Sequence, residues 1–283
     1  MAVAASEIEA LEAGRGVVRL EGWWLTVAAG EDAAPWLDDL VTARVSDLLP
    51  GQARRSLLLT PTGRIRADFT VAKLEEGFLL VQDPRQPEPV ATLLDRYVLS
   101  SKVELTDRTA DWRVVALPGH AGSEGDWSPS ALGAGHDILL REPGAAAPEG
   151  PGLVAESLEA VEAWRIRAGV PRFPVDLGTD SLPHEAGLER DIPEKGCYLG
   201  QEAVAKVRNL GHPPRVVRAF RADGPVAAGE AIRSGDRALG EVTSATAAEG
   251  GTAVIARLRW GVTGALRTEG GATITPAGGA TPD

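Results

Sequence analysis

The chain has 283 residues, 43% of them hydrophobic, a single cysteine and a formal net charge of −11. That size and apolar content suit one elaborate domain or two modest ones. One thiol excludes an internal disulfide, no apolar run approaches the roughly 20 residues of a membrane helix, and the acidic field opposes nucleic acid and anionic membranes.

Residues 1–9 lack the basic and apolar segments of a secretory signal, so the expected location is the cytoplasm. Residues 17–20 and 23–28 are β-prone and separated by Glu21-Gly22, which predicts a hairpin. Asp32 stands where it can cap a helix carrying Trp36, Leu37, Leu40 and Val41 on one face. Strand-like runs follow at 54–60, 64–74 and 77–81, joined by Pro61-Thr62-Gly63 and Glu75-Glu76-Gly77, and predict a β-meander. A helix is expected over 89–99, then strands over 102–106 and 113–117. Residues 141–152, rich in Pro, Gly and Ala, read as a loop. A helix over 156–167 places Leu158, Val161 and Trp164 on one face and ends before Pro171 and Pro174. Another spans 202–210. Short β-like runs at 216–221, 231–233, 240–245 and 252–260 then suggest a small antiparallel barrel or sandwich. The fold class is α+β, with a boundary near 211–215 separating 1–210 from 211–283 and a frayed tail after Ala272.

The most informative segment reads Lys195-Gly196-Cys197-Tyr198-Leu199-Gly200-Gln201-Glu202. A lone cysteine is ordinarily a small buried hydrophobe. Here it lies between two glycines, two positions after a lysine and just before a helix. A nearby cation and a helix N-terminus both favour the reactive thiolate. Lys195 can also point elsewhere, so its role stays open. Trp23 and Trp24 are adjacent in a strand, so only one faces inward, where an indole packs in the core or stacks on a flat heterocycle. Cations that can offset the acidic field for an anionic ligand are Arg64, Arg66, Lys206, Arg208 and Arg215. The cysteine and the four histidines, His120, His136, His184 and His212, show no metal-ligand spacing, so no metal site is expected. A standard iron–sulfur cluster takes four thiolates, more than this chain holds.

The motif at 195–202 resembles the hallmark of the YgfZ family, folate-binding proteins linked to iron–sulfur protein maturation and related to the T-protein (aminomethyltransferase) of the glycine cleavage system. Gly63-Arg64-Ile65-Arg66-Ala67-Asp68-Phe69, the run 94–103 and Leu182-Pro183-His184-Glu185-Ala186-Gly187-Leu188 extend the likeness across most of the chain, with 120–152 poorly covered. The resemblance implies a T-protein-like folate-binding body of antiparallel sheets and helices, followed by a small C-terminal β-barrel. The implied ligand is a tetrahydrofolate, contacted by Trp23 and, at a place shifted by about a helical turn, by Trp164. Glu185 falls where T-proteins place a pterin-binding glutamate, and a carboxylate can accept two parallel hydrogen bonds from a pterin edge. T-proteins carry two adjacent aspartates at the positions of Ala67 and Asp68. The first is credited with acting on the folate, so Ala67 implies loss of ordinary aminomethyl transfer. Cys197 is the implied functional thiol.

These readings make the chain a tetrahydrofolate-binding accessory factor for assembly or repair of iron–sulfur proteins, with those clients as partners. The alternative is a folate-dependent one-carbon transferase or demethylase using Asp68 or Glu185. A third reading, tRNA binding, is opposed by the acidic charge.

Overall fold

A computed structural model describes residues 5–118, 127–133, 135–142, 145, 154–155 and 157–277. The helices are α1 (Ala5–Glu12), α2 (Ala33–Leu40), α3 (Val90–Asp95), α4 (Leu158–Arg167) and α5 (Gln201–Leu210). Fifteen strands accompany them among the described residues, β1 (Gly16–Arg19), β2 (Trp24–Ala29), β3 (Ala53–Leu59), β4 (Ile65–Leu74), β5 (Gly77–Gln82), β6 (Glu104–Asp107), β7 (Arg113–Pro118), β8 (Gly135–Leu140), β9 (Val154–Ala155), β10 (Arg215–Ala222), β11 (Ala231–Ser234), β12 (Arg237–Ala248), β13 (Gly251–Arg259), β14 (Leu266–Thr268) and β15 (Thr273–Pro276). The chain divides into two compact units, Met1–Ala160 with Arg190–Gln201, and Val161–Glu189 with Glu202–Asp283.

The first unit holds a five-stranded sheet ordered β3-β4-β5-β2-β6 and a four-stranded sheet ordered β8-β7-β1-β9. The meander β3-β4-β5 follows from three β-prone, largely buried runs joined by the turns at 61–63 and 75–76. The hairpin expected from residues 17–28 does not form. β1 pairs with β7 and β9, whereas β2 pairs with β5 and β6. Both strands are apolar enough to be buried, and burial rewards any partner with a matching face, not only the neighbour in sequence.

One face of the five-stranded sheet packs on α2 and α3 through Trp36, Leu37, Leu58, Ala67, Phe69, Val71, Phe78, Leu80, Leu93 and Leu94. Each fully buried large side chain of this kind contributes about 1.5–3 kcal/mol. Asp32 precedes α2, but its side chain makes no cap bond to that helix and accepts the Lys102 backbone amide instead. Pro35 is tolerated because first-turn amides have no intrahelical acceptor. The helix expected over 89–99 is shorter, as α3 stops at Asp95.

In the second unit, β10-β13-β12-β11-β14-β15 close into a barrel around Val216, Phe220, Ile232, Val242, Val254, Leu258, Leu266 and Ile274. The strands expected from the sequence are all present, and β14 and β15 join them. Of the stretch after Ala272, expected to fray, Thr273–Pro276 is instead strand β15, paired with β10 and β14, and residues 278–283 lie outside the described residues. The region boundary also differs, because residues 161–189 and 202–210 cluster with the barrel. One reason is a buried polar network. Arg165 on α4 donates to Asp176 Oδ2 (2.7 Å) and Ser244 Oγ (2.9 Å), and Asp176 Oδ1 accepts from Thr243 and Ser244 of β12. The face of α4 is not the one expected. Ala160, Val161, Ala163, Arg165 and Ile166 are buried, while Leu158 is exposed and Trp164 is half-buried. Most of the loop expected over 141–152, and His120, lie outside the described residues. No helix among the described residues is long and apolar enough to cross a membrane.

Candidate functional site

In the first unit, residues 194–200 form a loop anchored at several points. Lys195 Nζ donates to the backbone carbonyls of Asp38 (2.6 Å), Val41 (2.6 Å) and Ala43 (2.7 Å). These lie at and just beyond the C-terminal end of α2, where carbonyls lack intrahelical donors and the dipole favours a cation. The Lys195 side chain is only 3% exposed. Burial pushes its ammonium down to about 8, with Asp38 and Asp39 opposing and Arg44 adding to the depression. Its ammonium also lies 5.3 Å from the Tyr198 ring centroid. Arg44 donates to the Glu194 carbonyl, and the Leu199 amide donates to Asp39 O (3.2 Å).

Gly200 has φ +85°, and a Cβ there would come 2.6 Å from Thr60 O. Only glycine fits that close approach to the 60–63 turn. Gly196 has open space around it. Between these anchors Cys197 is exposed. Lys195 is therefore committed to main-chain acceptors, which is the second of the two placements left open by the sequence.

Elsewhere in this unit, Trp23 is buried and Trp24 half-buried, in keeping with strand alternation. On β4, Ala67 is fully buried and packs in the core, so Asp68 projects from the opposite face. Register places Leu57 opposite Asp68, and Arg55, two residues along the same face, reaches it diagonally. Arg55 Nε and Nη2 hold both Asp68 oxygens at 2.9 and 2.5 Å. Burial acts against the guanidinium charge, but Asp68 and then Asp191 raise its pKa overall. Where β5 ends at Gln82, the Gln86 side chain takes over the ladder, accepting from Asp68 N and donating to Asp68 O. A carboxylate at 67 would be buried in hydrocarbon, so this strand offers its acid at 68.

In the second unit, Glu185 lies in a 3-10 turn, Pro183–Ala186, with its carboxylate fully buried. Oε1 accepts from Leu182 N (3.2 Å) and Arg215 Nη2 (3.1 Å), and Oε2 accepts from Arg215 Nε (3.1 Å). Arg215 is itself held by Asp180 Oδ2 (2.7 Å), and Arg257 lies 3.6 Å from Asp180 Oδ1. The Arg215 hydrogen bond holds the Asp180 carboxyl below its usual range, and Glu185 and Asp180 raise the guanidinium despite burial. Burial, then Arg208, pushes the His184 imidazole down, with a weak opposite pull from the Val204 backbone. Arg208 is exposed on the last turn of α5 and has no ion pair among the described residues.

These positions bear on whether a pterin fits. A carboxylate oxygen has two lone-pair directions. Oε1 is filled and Oε2 has one free, so Glu185 offers a single hydrogen bond where two were expected. Beside it, neither His184 ring nitrogen has a hydrogen-bond partner at normal geometry among the described residues. A buried acceptor paired with a cation, and an imidazole beside it, are the polar groups gathered at this turn. Sequence reasoning named Arg215 only as one cation among several, and it missed Arg55. Both reach acids across strand or loop separations that no local pattern marks.

Residues 1–124 match the GCVT N-terminal domain family. The chain is 26% identical over 280 residues to a putative chloroplastic transferase of Arabidopsis thaliana, covering 87% of this chain and 65% of that one. It is 24% identical to the tRNA-modifying protein YgfZ of Photorhabdus laumondii, covering 69% of this chain and 67% of that one. In three dimensions it is similar to the glycine cleavage system aminomethyltransferase T of Bartonella henselae, with TM-score 0.77 and 18% identity over 94% of this chain and 87% of that one. The chain thus spans just under two thirds of the Arabidopsis protein's length. The fold is that of the glycine cleavage T-protein. In sequence the chain is similar, more narrowly, to aminomethyltransferases and to a YgfZ protein.

Proposed function

We propose that the protein binds a tetrahydrofolate and serves the assembly or repair of iron–sulfur proteins, with Cys197 as its functional thiol and the cytoplasm as its location. The observation that carries this reading is an exposed thiol on a loop anchored on both sides of it, by Lys195 and by Leu199 and Gly200. A buried structural cysteine needs neither exposure nor such anchoring. A reduced folate, when bound, carries or accepts a one-carbon unit. The chain's own groups have separate tasks toward it. Glu185 offers a lone pair to a ring N–H or amino group, and Arg215 holds that carboxylate in place from the other side. Trp23 supplies an indole of the kind on which flat heterocycles stack. Trp164 and Arg208 remain secondary candidates.

Cys197→Ala should abolish support of iron–sulfur enzymes in cells lacking the wild-type gene while leaving folate affinity within about twofold. Equal loss of both would make the cysteine structural. In a fluorescence titration with folate, tryptophan emission should quench, and a flat response at high micromolar concentration removes the ligand from this reading.

A second reading, a folate-dependent one-carbon transferase, is favoured by Asp68, whose carboxylate faces away from the core. Formation of methylene-tetrahydrofolate from a methylamine-type donor, lost in Asp68→Asn, would support it. The YgfZ relative is named for tRNA modification. The net charge of −11 opposes that reading, and RNA affinity with a steep salt dependence would revive it.

A further inference from the structure

Among the described residues of the loop that carries Cys197, Leu199 is the one packed on the core under the five-stranded sheet. The polar attachments are the Arg44 bond to Glu194 O, the Lys195 bonds to Asp38 O, Val41 O and Ala43 O, and the Leu199 bond to Asp39 O. Lys195 alone supplies three of them, from a side chain that is almost wholly buried. An ammonium has three N–H donors in a tetrahedral array, and all are used. A guanidinium is planar and longer, so it cannot reproduce that array. The charged groups around the ammonium are Asp38, whose Oδ1 is 4.0 Å away and already accepts Val45 N, together with Asp39 and Arg44.

We propose that Lys195 is a positioning residue: it pins the thiol loop to the C-terminal end of α2 and sets where Cys197 stands by shape, not by charge acting on the sulfur. Its bearing on function rests on the reading of Cys197 as the working thiol, whereas the pin itself does not. The three carbonyls absorb the positive charge locally. The connection from α2 to β3, which carries two of those carbonyls, and the thiol loop then behave as one cooperative piece.

The test compares wild type, Lys195→Met and Lys195→Arg in the full chain. Amide exchange is followed at residues 196–199, and Cys197 is alkylated with small iodoacetamide and a bulky maleimide across pH 6–10. Both variants should speed exchange by about tenfold or more. Both should move the ratio of the two alkylation rates severalfold, since a thiol freed from its pedestal meets large and small reagents differently. The alkylation midpoint should stay within about half a unit of wild type. A midpoint raised by about a unit in Lys195→Met and restored in Lys195→Arg would overturn the proposal in favour of charge activation. Unchanged exchange in both variants would also overturn it. If neither variant folds, exchange in the wild type decides. Amides at 196–199 and at 41–43 should then open with one free energy, and protection differing by more than about tenfold would show two independent pieces. Failure of Cys197→Ala to affect iron–sulfur clients would remove the function and leave this outcome standing.

Discussion

The loop around Cys197 and the turn around Glu185 are both tightly held, but by different kinds of partner. Lys195 and Leu199 bond to main-chain carbonyls, and Gly200 fits against the main chain of the 60–63 turn. Glu185 is held by one side chain, Arg215, itself fixed by Asp180. Main-chain acceptors are present whatever the partner sequence, so the loop's requirements are concentrated in its own eight residues. That is why the motif is recognisable by eye. The Glu185 turn depends on a residue 30 positions away, so its local signature is incomplete. Loss of a partner should accordingly cost more around Glu185, where it strands a buried charge, than around the loop.

The largest expected effect belongs to the second unit's other buried ion pair. Asp176→Ala removes the buried acceptor of Thr243, Ser244 and Arg165 together, leaving Arg165, which is 6% exposed, with only its Glu162 ion pair, and should cost about 3–5 kcal/mol in urea unfolding. Arg215→Met should cost about 2–4 kcal/mol, because Glu185 then stays buried without its cation. The double variant Arg215→Met with Glu185→Gln should recover a good part, and strict additivity would show that the two do not interact.

Asp137, on β8, tests the first unit through pH. Burial raises its carboxyl from 3.8 to about 7, with Ser130, the Ala131 amide that donates to Oδ2, and Trp127 working the other way. The folded form therefore holds its proton while the unfolded form has lost it. The stability this proton contributes is complete below about pH 4 and is lost as pH rises to 7. Asp137→Asn should thus stabilise by on the order of 2 kcal/mol at pH 8, with the gain shrinking toward pH 4. A pH-independent difference would contradict that burial.

The smallest pair of effects sharpens the loop itself. Gly200→Ala should cost about 1–3 kcal/mol, from a left-handed φ and the approach to Thr60 O. Gly196→Ala, with open space around it, should change stability by less than about 0.5 kcal/mol. Equal costs would mean the loop is not seated on the 60–63 turn.

The meander β3-β4-β5 was legible because β-prone runs and turn chemistry are both local. So were α5 and four of the six barrel strands. The false hairpin at 17–28, the misjudged face of α4 and the missed β15 share one cause. Each involves an apolar or neutral segment whose partner lies far along the chain. Position 67 makes the same point at the site. Motif comparison left open which acid mattered on β4, whereas packing against α2 and α3 buries Ala67 and turns Asp68 outward.

By itself, then, the sequence determined the α+β class, most of the helices and strands, and the motif holding the one thiol. Those depend on periodicity, turn residues and composition, which act over a few residues. Tertiary structure alone decided that Lys195 seats on α2, that Arg55 and Arg215 neutralise Asp68 and Glu185, and that Thr273–Pro276 closes a barrel. Charges buried on folding need partners at hydrogen-bond distance, and only the folded chain brings residues so far apart within that reach.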